Sequence, residues 1–247
     1  MTAGDKPGRV YGGRSSADRE AARRQSLLDG AIDTLITGEP LTVRGVCHTT
    51  GLTSRYFYEN FASTDALAEA AYDACVSTIA TEVAAAFAAP PTVEEQISSA
   101  MSSLVDALEA DPRAGQILFS TRIANALIAR KRQESTQFFV GITAATAREA
   151  AAEPVPGIVL DHAAQFVVGG VTQLLSTWLN ARYDAQFGAA GDEPPDADRD
   201  AGGNGKNHDY DDDAEPAAPE LDSPTVARTA SALITALARQ LAVDLTL

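Results

Sequence analysis

The sequence predicts an all-α protein, and three observations carry that expectation. Apolar residues recur every three or four positions along the long segments. Leu27, Leu28, Ala31, Ile32, Leu35 and Ile36 are one such set, and Val93, Ile97, Met101, Leu104, Val105 and Leu108 another; this is the period of a helix with one buried face. Residues that start and stop helices punctuate those segments, as at Gly51, Thr92 with Glu95 three positions on, and Asp111 before Pro112. No strand pattern is apparent. The 247 residues, of which 45% are hydrophobic, suffice for one large or two ordinary domains with a buried core. The expected organisation is a flexible basic arm over 1–15, a three-helix unit over 16–62, and a larger helical domain over 63–247 that contains an acidic loop at 188–222.

The arm is Gly-rich and carries Lys6, Arg9 and Arg14. Such a segment either reaches into a minor groove beside a bound protein or has no role of its own. A helix is predicted from Ser16 to Thr37 and ends at Gly38 and Pro40. Arg23 and Arg24 near its start read either as phosphate contacts or as solvated surface charge.

The stretch from Thr42 to Leu67, TVRGVCHTTGLTSRYFYENFASTDAL, reads as two short helices and a turn. Thr42 caps a first helix whose Val43, Val46 and Cys47 share a face. Gly51 ends it, since glycine takes the left-handed conformation without a Cβ penalty, and Leu52 turns inward. Thr53 caps the second helix, placing Phe57 and Phe61 on one side and Ser54, Arg55, Tyr56 and Glu59 on the other. Ser63 caps the next helix, with Asp65 favourably placed near its dipole. A helix-turn-helix has these requirements, because N-terminal residues of its second helix meet base edges while amides and hydroxyls meet phosphate. Arg55 offers a fork suited to guanine O6 and N7, and Tyr56 and Tyr58 offer hydroxyls to phosphate.

The segment resembles the DNA-binding region of the TetR family of bacterial transcription regulators. Thr42, Val46, Gly51, Leu52, Thr53, Phe57, Tyr58, Phe61, Ser63, Asp65 and Leu67 match the family pattern, over about 50 residues counting the preceding helix. Arg55 and Tyr56 depart from it by replacing small residues, Asn60 by replacing a common His, and Thr64 by replacing a Lys that often holds phosphate. The DNA-contact candidates are Thr42, Arg44, Thr53, Ser54, Arg55, Tyr56, Tyr58 and Asn60.

Beyond this stretch, a long helix is expected from Ser63 to Ala89, where Pro90-Pro91 breaks it; the resemblance implies that it links the DNA-binding and ligand-binding domains. Another helix runs from the Thr92 cap to Asp111. Asp111-Pro112 restarts a helical region that continues to about Ala152, with Arg130-Lys131-Arg132 read as a solvated face rather than a second nucleic-acid site. Ile158 to Phe187 forms a helix whose apolar arc is too wide for one neighbour. Within it Gly169 and Gly170 permit close approach of a crossing helix, at an intrinsic cost of ~1 kcal/mol each. Ser223-Pro224 starts a last helix striped by Val226, Ala230, Leu233, Ile234, Leu237 and Leu241. The helices at 158–187 and 223–244 read either as intrachain core or as the two halves of a four-helix homodimer interface. The resemblance implies the dimer.

The net charge of −15 is unevenly spread. Up to Asn60 there are 8 Lys/Arg against 7 Asp/Glu, whereas Gly188 to Asp222 holds 12 acidic and 2 basic residues. The DNA-binding end therefore escapes most of the acidity, and phosphate responds only to charge within a Debye length of ~8 to 10 Å. Low complexity makes the acidic tract a disordered loop. Cys47 and Cys75 read as small buried residues. No run of 18 apolar residues and no leader-like core is present, so no membrane association and a cytoplasmic location are expected. His48, His162 and His208 show neither metal-ligand nor triad spacing, and His162 reads as a core histidine. No enzyme activity, metal or cofactor is expected.

The resemblance implies a repressor that binds double-stranded operator DNA and leaves it when a small molecule binds. Pocket candidates are Phe119, Phe138, Phe139, His162, Phe166 and Trp178, with Phe87, Asn125, Gln137 and Gln165 also in that region. The lack of charge on the Phe138 to Thr146 and His162 to Arg182 faces points to a largely apolar effector. The alternative is a helical ligand- or protein-binding dimer that no longer binds DNA.

Overall fold

A computed structural model of the chain describes residues 16–151, 154–187 and 222–243. Among these residues the elements are helices alone: α1 (Ser16–Thr37), α2 (Val43–Thr50), α3 (Ser54–Asn60), α4 (Thr64–Ala88), α5 (Val93–Ala110), α6 (Pro112–Phe119), α7 (Ala126–Ala150), α8 (Gly157–Phe187) and α9 (Ser223–Val243). The basic arm and almost all of the acidic tract fall outside the described residues.

Local chemistry sets most of the boundaries. Thr42 Oγ1 accepts from the Gly45 amide at 3.0 Å, Ser63 Oγ from Ala66 at 3.1 Å, and Asp111 Oδ1 from Arg113 at 3.1 Å. Thr92 Oγ1 accepts from the Glu95 amide at 3.3 Å and donates to the Glu95 carboxylate at 2.9 Å, a reciprocal arrangement of the capping-box kind. Gly38 and Gly51 end α1 and α2 with φ of 76° and 68°, a region where a side chain would be strained.

Two boundaries differ from the sequence reading. The helical region after Pro112 is broken: Ser120 leaves α6 in extended conformation, Ile123 is buried, and Asn125 caps α7 through the Leu127 and Ile128 amides at 3.0 and 3.1 Å. The short α6 is the result. At α9 the cap is Asp222, which accepts from the Thr225 amide at 2.8 Å. Ser223 is instead the buried first residue of the helix, held by Arg182 and donating to Glu109. The hydrogen bonds that Glu109 accepts from Ser223 and, second, from Arg182 pull its carboxyl below the ordinary value.

The core is continuous from one end of the chain to the other. Leu27 and Leu35 of α1, Val46 of α2, Phe57 of α3 and Leu67 and Ala71 of α4 share it with Leu108, Ile117, Ile128, Trp178 and Val226 of the later helices. Each Leu, Ile, Val or Phe among them contributes roughly 1.5–3 kcal/mol when fully buried. α4 packs on α1, α5, α6 and α7, so it belongs equally to both ends; α5 packs on α9 and α7 on α8. Two glycines permit the tightest crossings. A Cβ on Gly30 would stand 2.7 Å from a Thr50 methyl, and one on Gly115 would stand 3.1 Å from Leu179.

The basic cluster of α7 is not a solvated face. Lys131 pairs with Asp73 of α4 at 2.6 Å, and Arg130 reaches Glu69. Arg132 turns inward to the last carbonyls of α6, with Nε to Ile117 O at 3.0 Å and Nη2 to Gln116 O at 3.2 Å. Burial lowers its guanidinium pKa from the usual arginine value. The three residues together tie α7 to α4 and α6.

Candidate nucleic-acid interface

The first four helices place one charged face around α3. Phe57 is fully buried and Phe61 nearly so, their rings 6.2 Å apart, and α3 packs on α1 and α2. The opposite side follows by periodicity. The Arg55 side chain is 86% exposed, Tyr58 is 62% exposed, and Ser54, Glu59 and Thr53 are exposed as well. Tyr58 and Phe57 make an edge-to-face ring contact at 5.3 Å.

Thr53 departs from the sequence reading. Its backbone is extended, as a cap requires, but its side chain makes no capping bond. First-turn amides of a helix have no intrahelical acceptor, and those of α3 are not capped by the Thr53 hydroxyl. Thr42 makes its capping bond and stays exposed at the start of α2; Arg44 on the next turn surface is exposed too. Asn60 is half-buried, and its Nδ2 donates to the Tyr56 carbonyl at 2.9 Å. It therefore closes the last turn of α3.

Arg23 and Arg24 of α1 stand over aromatic rings of the helix-turn-helix. The Arg23 guanidinium lies 4.4 Å from the Tyr56 ring centroid and that of Arg24 4.7 Å from Phe61. Each stack couples α1 to α3 at about 0.5–1 kcal/mol at such exposed sites. Glu20, Arg23, Tyr56, Glu59 and Asn60 line a shallow cleft of about 270 Å³ between the two helices. On the exposed side of α3 Arg55 Nε donates to Glu59 Oε1 at 2.8 Å, and this bond raises the guanidinium above its ordinary value. Sequence reading misses the two stacks, whose partners are more than 30 positions apart. The Arg55–Glu59 bond has a visible signal in the four-residue spacing.

The effector candidates differ widely in burial. Phe119 is part of the core margin, Phe139 is half-buried beside Phe138, and Phe138 itself is 61% exposed. Phe166 is 75% exposed. His162 lies exposed on α8 rather than in a core, because it falls on the outward arc with Gln165 and Phe166. Only Trp178 is enclosed, at 1% exposure, with Arg182 5.3 Å from its ring and its Nε1 hydrogen without an acceptor. A second cavity, about 440 Å³, lies elsewhere, between α4 and α5, lined by Glu82, Asp106 and small residues.

No family model matches the chain, and no curated protein matches it in sequence. Solved structures do match in fold. The fatty acid degradation regulator FadR from Bacillus halodurans superposes at a TM-score of 0.59 and 11% identity, over 86% of this chain and 94% of that one. A protein described as a transcriptional regulator from Pseudomonas aeruginosa gives 0.56 at 13% identity, over 96% and 98%. One described as a TetR family regulator from a Shewanella species gives 0.51 at 14%, over 68% and 87%. The chain thus has the all-helical fold of TetR-type transcription regulators, the fold that its residues from Thr42 to Leu67 predict.

Proposed function

We propose that this chain is a transcription regulator that binds double-stranded operator DNA as a homodimer and leaves it when a small, largely apolar ligand binds. The observation that carries this reading is the division of α3 into a buried Phe57/Phe61 side and an exposed Arg55/Tyr58 side. The open first turn of the same helix adds to it. Arg55 reads a base; Thr42, Arg44, Thr53, Ser54, Tyr56 and Tyr58 hold phosphate, and Asn60 shapes the end of the helix. The fold shared with known regulators supports the same role.

Homodimer formation through α8 and α9 is supported by their uncovered apolar arc, with Phe166, Ile158 and Leu233 all more than 60% exposed. Gly169 and Gly170 have open space above them, as a crossing helix needs. A two-fold dimer can hold two α3 helices ~34 to 36 Å apart, and a ligand that alters that spacing abolishes binding. The place of work is then the cytoplasm, with the DNA. Thr64 and the carboxylates Glu20 and Glu59 beside α3 favour the rival reading, a helical dimer that no longer binds DNA.

Footprinting on the DNA upstream of its own gene separates the two. Protection is expected from the wild type, and Arg55→Ala weakens it by about 1–3 kcal/mol while relaxing preference at one base. Tyr58→Phe weakens all sequences alike. No protection at low salt, or an Arg55→Ala protein with unchanged affinity and selectivity, rejects the assignment.

A further inference from the structure

Glu59 presents a problem if α3 is the reading helix, because a carboxylate on that face repels the phosphates it must approach. Helix stability does not explain it. An exposed i,i+4 ion pair is worth about 0.3–0.5 kcal/mol, and the order here, Arg before Glu, is the weaker of the two orders.

The geometry of the contact suggests another role. Glu59 Oε1 takes the Arg55 Nε hydrogen at 2.8 Å. This leaves the end of the fork, Nη1 and Nη2, for the edge that spans guanine O6 and N7. A guanidinium on an otherwise free side chain samples many rotamers, and fixing it on a base costs about 2 kcal/mol of rotamer entropy. A carboxylate already bound to Nε removes part of that freedom before DNA arrives. The backbone that carries Glu59 is itself held: Asn60 Nδ2 bonds the Tyr56 carbonyl at 2.9 Å, and Arg23 lies 4.4 Å from the Tyr56 ring.

Resting on the reading of α3 as the recognition helix, we propose that Glu59 is a positioning residue that orients Arg55 toward a guanine and so sets the sequence preference of the protein. It does not touch the base itself. Its carboxylate lowers affinity for all DNA and in return sharpens discrimination at one position.

The test uses the full-length chain and its footprinted operator. Arg55→Ala first identifies the base pair at which discrimination is lost, an effect of roughly five- to a hundredfold. Glu59→Ala is then expected to lower discrimination at that same base pair by about threefold or more, a part of the Arg55→Ala loss, while binding to unrelated DNA stays equal or tightens. Glu59→Gln, whose amide oxygen still accepts from Nε, recovers a large part of it. Full discrimination in both Glu59 variants, with affinity raised on every sequence, overturns the proposal and leaves Glu59 a bare repulsive charge. Full discrimination in Arg55→Ala overturns it too, and with it the recognition role of Arg55. The two failures are therefore distinguishable.

Discussion

On α3 the large apolar side chains turn inward and the charged ones outward, whereas on α8 and α9 Phe166, Ile158 and Leu233 stand in solvent. Each surface is matched to a different covering. A charged face is stable in water as it stands, so the end that carries α3 needs no partner to keep its fold. An apolar arc cannot: exposed patches of this kind mark interaction sites. The stretch Gly157–Asp184 is long and apolar enough to cross a membrane by length and composition, with a mean hydropathy of 1.3, and 17% of its most apolar window is buried within the subunit. Its other face carries Leu160, Ala164, Leu175 and Trp178 into the subunit. A helix packed on one side and bare on the other is what a two-fold partner completes.

The largest expected effect breaks that covering. Replacing Phe166 and Leu233 together by glutamate removes two apolar side chains from each half of a symmetric interface. At about 1.5–3 kcal/mol per side chain the loss is roughly 6–12 kcal/mol per dimer. Monomers in sedimentation and loss of operator binding are the expected outcome, with helicity by circular dichroism retained. A variant that still sediments as a dimer places the subunit contact elsewhere.

Next in size is Trp178, which lies between the two regions in character, buried yet with a polar hydrogen unsatisfied. Trp178→Ala opens a large cavity and is expected to cost about 3–5 kcal/mol in urea unfolding. Trp178→Phe also deletes the unpaired Nε1 hydrogen, whose burial alone costs about 1–3 kcal/mol, so its net effect is expected to stay within about 1 kcal/mol of zero. If the indole instead donates to the effector, Trp178→Phe keeps its stability and loses its response to the ligand. A thermal-shift titration with the identified effector reads that difference.

The same contrast explains what the sequence discloses. Caps at Thr42, Ser63, Thr92 and Asp111 and stops at Gly38 and Gly51 are local, so the pattern of neighbouring residues announces them. The inward Phe57 and Phe61 follow from a four-residue spacing. The stacking of Arg23 on Tyr56, the turn of Arg132 onto the α6 carbonyls and the break at Ser120 depend on which helices cross and where. Spacing within one helix carries no record of that. The effector candidates differ in burial for a related reason: aromatic content does not distinguish a buried Trp178 from an exposed Phe166 on the same helix, or from an exposed Phe138 on α7.

Gly30 tests the recognition end by packing rather than by charge. Alanine in a helix interior gains about 1 kcal/mol over glycine. Here the added Cβ would meet the Thr50 methyl at 2.7 Å, and Thr50 is held in place by its hydroxyl bond to the Val46 carbonyl, also 2.7 Å. Overpacking costs about 1–3 kcal/mol, so the net expectation is a loss of about 1 kcal/mol. Operator affinity is expected to fall as well, because α2 must shift against α1. Gly30→Ala with raised stability in urea unfolding shows that the crossing is loose enough to give.

The smallest effect lies where the two regions meet. Arg113 at the start of α6 donates through Nη1 to Asp33 of α1 at 3.1 Å and through Nε to Asp111 at 3.3 Å, and Nη2 stands 4.0 Å from Asp29. Three carboxylates around one guanidinium look like a strong tie. Yet the Arg113 side chain is 41% exposed, and its partners are no deeper, so solvent screens each pair toward the 0.2–1 kcal/mol typical of the surface, and the sum to about 1 kcal/mol. Alanine there also leaves three acids close together, which mutual repulsion turns into a part of that loss. For a chain of this length the expected drop in melting temperature is about 2–4 °C, smaller in high salt. The transition should remain single, because Leu27 and Leu35 of α1 share one core with Ile117 and Trp178 and hold the ends together without the ion pairs. Two separate transitions in calorimetry of Arg113→Ala would show instead that the recognition end and the subunit end fold as distinct units, joined chiefly by this arginine.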